Sequence, residues 1–171
     1  SHITKFINEI NQDFDLNIKS YSNLHKWSIS NIDHFWEKIL SFSDIVYEGE
    51  IDQVIDDKSK MLGAEWFRGI KLNYAENLLK FNNDKLAIES YDEDGSKVTL
   101  TYRQLNNKVS CLSSYLELIG VKSGDRIAAV MPNIPETIIM MLAASSLGAI
   151  WTSCSPDFGI NAVLDRFEQV Q

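Results

Sequence analysis

Basic side chains, cysteines and clustered glycines are all scarce in this chain of 171 residues, and each scarcity removes a class of function. Sixteen Lys and Arg stand against 24 Asp and Glu, a formal net charge of -8. Such a surface repels a phosphate backbone, which argues against a nucleic-acid partner. The two cysteines, Cys111 and Cys154, are too few for a disulfide framework and too far apart for a metal knuckle. Reduced, buried thiols in a cytoplasmic protein are the expectation. The eight glycines are isolated, so neither Gly-x-Gly-x-x-Gly nor a P-loop occurs and no backbone cradle for polyphosphate is present. The histidines, His2, His25 and His34, have no Cys, His or carboxylate at metal-ligand spacing and follow no nucleophile motif, so no catalytic residue and no metal ligand is assigned. The most apolar run, Ile138 to Trp151, is interrupted by Ser145, Ser146 and Gly148 and falls short of the roughly 20 residues of a membrane span. Polar residues follow Phe6 directly, so no signal peptide is expected either.

What is present is an ordinary globular composition, 44% hydrophobic, 11% aromatic and 23% charged, enough for one domain and part of a second. Ile3, Phe6, Ile7, Ile10 and Phe14 recur at helical spacing. A second helix is expected from Asp33, burying Phe35, Trp36, Ile39, Leu40 and Phe42, with Tyr21 to Ile32 as a loop between the two. Glu48 to Lys60, acidic and poor in apolar residues, reads as a solvated connection or short irregular pieces, without the ligand spacing of a calcium loop. Trp66 and Phe67 read as a staple beside a helix capped by Asn73 with Glu76.

The period then changes. Lys85 to Tyr91 and Lys97 to Tyr102 flank Asp92-Glu93-Asp94-Gly95, a hairpin signal. Thr101 and Gln104 form a capping box for a helix with the stripe Leu105, Val109, Leu112, Leu116 and Ile119. Two short apolar runs, Arg126 to Met131 and Ala149 to Cys154, enclose a helix that Asn133 and Glu136 should cap, with Pro135 in its first turn. This is a βαβ unit with parallel strands covered on both faces. A last helix carries Val163, Leu164, Phe167 and Val170 to the end of the chain without a cap or a following strand, which reads as truncation. The fold class is therefore α/β: a helical N-terminal region (1–84), then a β-hairpin and a first βαβ unit (85–171). An unfinished parallel sheet should also promote self-association.

One stretch is placed to bind something. Ser155-Pro156-Asp157-Phe158-Gly159 follows a parallel strand and leads into a helix, the end of an open α/β sheet where ligands collect. A plain βα turn, with Pro and Gly for geometry, accounts for the same residues.

Several stretches carry a resemblance. Leu24-His25-Lys26-Trp27-Ser28, Phe35-Trp36 and Trp66 to Asn77 resemble the short N-terminal domain of acetyl- and acetoacetyl-CoA synthetases. Gly120 to Arg126 and Met131-Pro132-Asn133-Ile134-Pro135-Glu136 are similar to the opening βαβ pattern of the adenylate-forming superfamily. Leu72-Asn73-Tyr74-Ala75-Glu76-Asn77 and Gly148 to Gly159 resemble the acetoacetyl-CoA synthetase (acetoacetate–CoA ligase) branch, whereas acetyl enzymes carry Asn-Val-Ser-Tyr-Asn and a Gly-Gly-Phe loop. The family usually has Pro where Arg68 stands.

The resemblance implies a ligase that uses ATP, CoA and Mg²⁺ to activate a carboxylic acid, acetoacetate, through an acyl-adenylate. Its phosphate loop, acyl pocket and mobile C-terminal domain would lie beyond Gln171, so these 171 residues should be inert and bind none of the three tightly. Within them, the resemblance places Pro156, Asp157, Phe158 and Gly159 beside the CoA nucleotide. Two alternatives stay open: a ligase for another short acid such as acetate or propionate, and a non-catalytic interaction module. A downstream Ser/Thr/Gly-rich loop ending in Pro-Lys would separate the ligase from the module.

Overall fold

The structure, a computed structural model, describes residues 1–170 and divides them into two compact units, Ser1–Leu72 and the part that begins at Asn73. In the first, helices α1 (His2–Asp13), α2 (Tyr21–Ser30) and α3 (Ile32–Phe42) precede an antiparallel pair, β1 (Glu48–Ile55) and β2 (Trp66–Lys71). The helical stripe predicted for α1 buries Phe6 and Ile10, which with Ile18 and Leu24 make the core of this unit. Phe6 meets Phe42 edge-on at 5.0 Å and Phe35 at 6.0 Å, the arrangement aromatic quadrupoles favour. Lys38 of α3 bridges Glu9 (2.7 Å) and Asp13 (2.9 Å) of α1. Those carboxylates raise the pKa of its ammonium, Glu9 first.

Three expectations for this unit are corrected. Tyr21 to Ile32 is not a loop: Ser20 accepts the Asn23 N–H as an N-cap, and Leu24 and Trp27, three residues apart, turn toward the core. Glu48 to Lys60 is not merely a solvated connection, since Glu48–Ile55 forms β1 and pairs Ile55 with Trp66. The acidic residues lie mostly on its wet side, and an irregularity between Gly49 and Gln53 breaks the alternation that would have advertised a strand. Trp66 and Phe67 accordingly open β2 rather than flank a helix. Gly49 and Gly69 permit the close crossing: both have positive φ, and a Cβ on Gly69 would lie 2.2 Å from the Glu50 carbonyl oxygen. Arg68 sits in β2 opposite Gln53.

The second unit runs α4 (Tyr74–Leu79), β3 (Leu86–Tyr91), β4 (Lys97–Thr101), α5 (Tyr102–Leu118), β5 (Arg126–Val130), α6 (Pro135–Ser146), β6 (Ile150–Cys154) and α7 (Ile160–Glu168). The helix capped by Asn73, which the sequence groups with residues 1–84, packs here against α6. The hairpin, the Thr101–Gln104 capping box and the parallel β5–β6 pair form as predicted. Leu105, Val109 and Leu116 of α5 and Ile139, Leu142 and Ala143 of α6 close one core with Ala75 and Leu100.

Three details differ here too. Ile134, not Asn133, is the N-cap of α6 and makes no side-chain bond, because Pro135 at the helix start fixes the cap one residue later. Cys111 is exposed, since it lies off the α5 stripe, while Cys154 is buried. Finally, β5 is not covered on both faces: Arg126, Ala128 and Val130 stay exposed.

Candidate functional site

The parallel register sets the carboxyl ends of both strands side by side. Val130 pairs with Cys154, and the Met131 N–H donates to the Cys154 carbonyl at 3.0 Å. Two motifs distant in sequence, Met131 to Glu136 and Ser155 to Gly159, therefore leave the sheet together, at the end where α/β sheets bind ligands. Thr137 fixes the first turn by donating its hydroxyl to the Pro132 carbonyl at 2.8 Å.

The second turn is braced from within. Ser155 Oγ donates to Asp157 Oδ2 at 2.8 Å, the Asp157 N–H returns to Ser155 Oγ at 3.3 Å, and the Phe158 N–H closes on the Ser155 carbonyl at 3.2 Å. Cys154 anchors its start in the interior, while Pro156, Asp157, Phe158 and Gly159 all face solvent. Gly159 is the N-cap of α7 and offers no side chain to the first-turn N–H groups, which leaves them to favour an external acceptor. It is also the exception among the glycines. The other seven have positive φ, whereas Gly159 has φ −65 and a Cβ there would meet nothing within 4 Å. Neither conformation nor packing within this chain demands a glycine at that point.

Other candidates disperse. His25 stacks on Tyr21, and the His34 ring lies tilted against Phe14 at 5.2 Å, as structural histidines do. Among the described residues no group of three or more His, Cys, Asp or Glu could hold a metal ion. No helix among them is long and apolar enough to cross a membrane.

Comparison with known proteins decides the family. A family model described as "AMP-binding enzyme" matches residues 75–171, more than half of the chain. The chain belongs to the AMP-binding enzyme family. A second model, described as the acetyl-coenzyme A synthetase N-terminus, matches residues 21–78. The whole chain is 42% identical to 26% of an acetoacetyl-CoA synthetase of Xenopus tropicalis. Nearly all of it, 99%, is 40% identical to 26% of an acetoacetyl-coenzyme A synthetase of Rhizobium meliloti (strain 1021). A solved structure of an acetoacetyl-CoA synthetase from Streptomyces lividans matches 99% of the chain over 27% of its own, with a TM-score of 0.93 and 36% identity. The chain thus spans about a quarter of the length of these relatives, and its mixed α/β fold matches the N-terminal part of the Streptomyces lividans structure.

Proposed function

We propose that this chain is the N-terminal portion of a cytoplasmic acetoacetate–CoA ligase. The observation that carries the reading is the similarity to acetoacetyl-CoA synthetases along essentially the entire chain. In the reaction, an oxygen of the acid's carboxylate attacks the α-phosphorus of ATP and pyrophosphate leaves. The CoA thiol then attacks the acyl carbon of the adenylate and expels AMP. Both steps concentrate negative charge that cationic groups and oriented N–H donors must offset.

This chain's own share is a border for CoA. Pro156 stiffens the turn, the Ser155–Asp157 bonds hold it open, and Phe158 presents an exposed ring face to which a purine can stack. Gly159 leaves room for close approach at the first turn of α7. Isolated, the 171 residues are inert, and their uncovered strands associate with further copies.

A substrate panel tests the activity. The full-length protein should form AMP and acyl-CoA fastest from acetoacetate, with acetate and propionate well behind; equal rates with acetate would refute the acetoacetate reading. Within that protein, Gly159→Ala should raise KM for CoA by roughly tenfold, the effect of a lost close contact, and leave acetoacetate-dependent pyrophosphate exchange intact. An unchanged KM would remove Gly159 from the CoA border.

A further inference from the structure

The segment Leu72 to Asn77 stands out in the sequence, yet the proposed CoA border makes no use of it. Its first polar residue, Asn73, works at two places at once. Asn73 Oδ1 accepts the Glu76 N–H at 3.1 Å and caps α4. Its Nδ2 donates to the carbonyls of Ser145 (2.9 Å) and Ser146 (3.4 Å), at the last residues of α6. The amide can face only this way, because a flip would turn its oxygen toward two carbonyls and its nitrogen toward an N–H.

Carbonyls at a helix C-terminus have no partner within the helix. Here they are taken by neighbours. Ser113 of α5 donates to the Ala143 carbonyl at 3.3 Å and shares a 2.7 Å bond with the Ser146 hydroxyl. The Ser145 carbonyl also accepts the N–H of Gly148 at 3.0 Å, in the turn that sends the chain into β6. That turn has little slack: Gly148 has φ 72, its carbonyl accepts the Gly124 N–H at 3.0 Å, and a Cβ on it would lie 2.7 Å from Ser123 Oγ. Meanwhile α4 has only six residues, too short to persist on its own propensity.

We propose that Asn73 is a latch. Its amide couples the start of the second unit to the α6–β6 turn, so that order in α4 and in the turn that launches β6 rise and fall together. A disturbance at Asn73 thereby reaches the root of the strand whose far end carries Pro156 to Gly159.

Amide hydrogen exchange on the full-length protein tests it, comparing the natural sequence with Asn73→Ser. Serine still caps the helix but cannot reach the two carbonyls. The amides of α4 and those of Gly148 and Ala149 should exchange roughly tenfold faster together, while the β3–β4 hairpin and the middle of α5 keep their rates. Faster exchange in α4 with Gly148 and Ala149 unchanged would overturn the latch, as would no change at all. Uniform acceleration throughout the second unit, the pattern Leu105→Ala should give, would overturn it as well, by reducing Asn73 to a general stabiliser.

Discussion

Asp56 shows how a single carboxylate can order a connection whose composition reads as wet chain. It accepts the ammonium of Lys60 at 2.8 Å and the N–H groups of Asp57 and Glu65 at 2.7 and 2.9 Å, closing the β1–β2 loop on itself. Lys60 first, then the Glu65 and Asp57 amides, holds its pKa down from 3.8 to about 2. A depressed carboxylate stabilises the folded loop fully above its unfolded pKa and loses that contribution as the pH falls from 3.8 toward 2. Lys60→Ala should therefore move the Asp56 carboxyl resonance midpoint upward in an NMR titration; a midpoint that stays near the wild-type position would refute the pairing. In the core, Leu142 is 2% exposed, and Leu142→Ala should cost about 2–5 kcal/mol in denaturant unfolding of the second unit. A loss under about 1 kcal/mol would mean the site collapses around the gap. Single residues also explain what the sequence hid. Cys111 lies two positions past Val109, off the stripe that Leu105, Val109, Leu112 and Leu116 define, and that stripe alone could have placed it in solvent. By contrast, nothing in the residue types around Gly159 reveals that its φ is ordinary and its surroundings empty; only the folded chain shows that.

At the scale of elements, legibility follows how local the determining forces are. The β3–β4 hairpin and the capping box of α5 depend on residues within a few positions of one another, and both are readable. Gly95 supplies the positive φ of the hairpin turn, and Thr101 and Gln104 exchange bonds across one helical turn. Helix α2 and strand β1 depend on partners farther away. Among the ten residues of α2 only Leu24 is buried, and packing against α3 rather than periodicity keeps the segment helical. Strand β1 is held by β2 across a connection of ten residues, with a broken register. Two substitutions separate these regimes. Thr101→Ala should lower the stability of the second unit by about 1 kcal/mol, the usual worth of a cap, measured by thermal unfolding. Gly69→Ala must place a Cβ against the Glu50 carbonyl at positive φ, and should cost the first unit about 1–3 kcal/mol with loss of β1–β2 amide protection. If the first unit tolerates that alanine with protection intact, the close crossing of the strands is wrong.

For the whole molecule, the telling feature is what the sheet leaves bare. Val130 and Ile150 are exposed in strands of a type found buried on both faces, and Ile160 and Leu164 of α7 stand in solvent. Relatives about four times as long have chain to cover such surfaces. The 171 residues should therefore sediment as growing assemblies when their concentration is raised; one monomeric boundary at every concentration would count against these bare apolar faces as an association surface. The family was legible because its signature stretches lie within this chain. The most direct test of the central claim is acetoacetate-dependent exchange of labelled pyrophosphate into ATP, measured on the full-length protein and on the 171 residues alone. Exchange by the full-length protein and none by the 171 residues is the predicted result; exchange by the 171 residues, or none by the full-length protein, would contradict it.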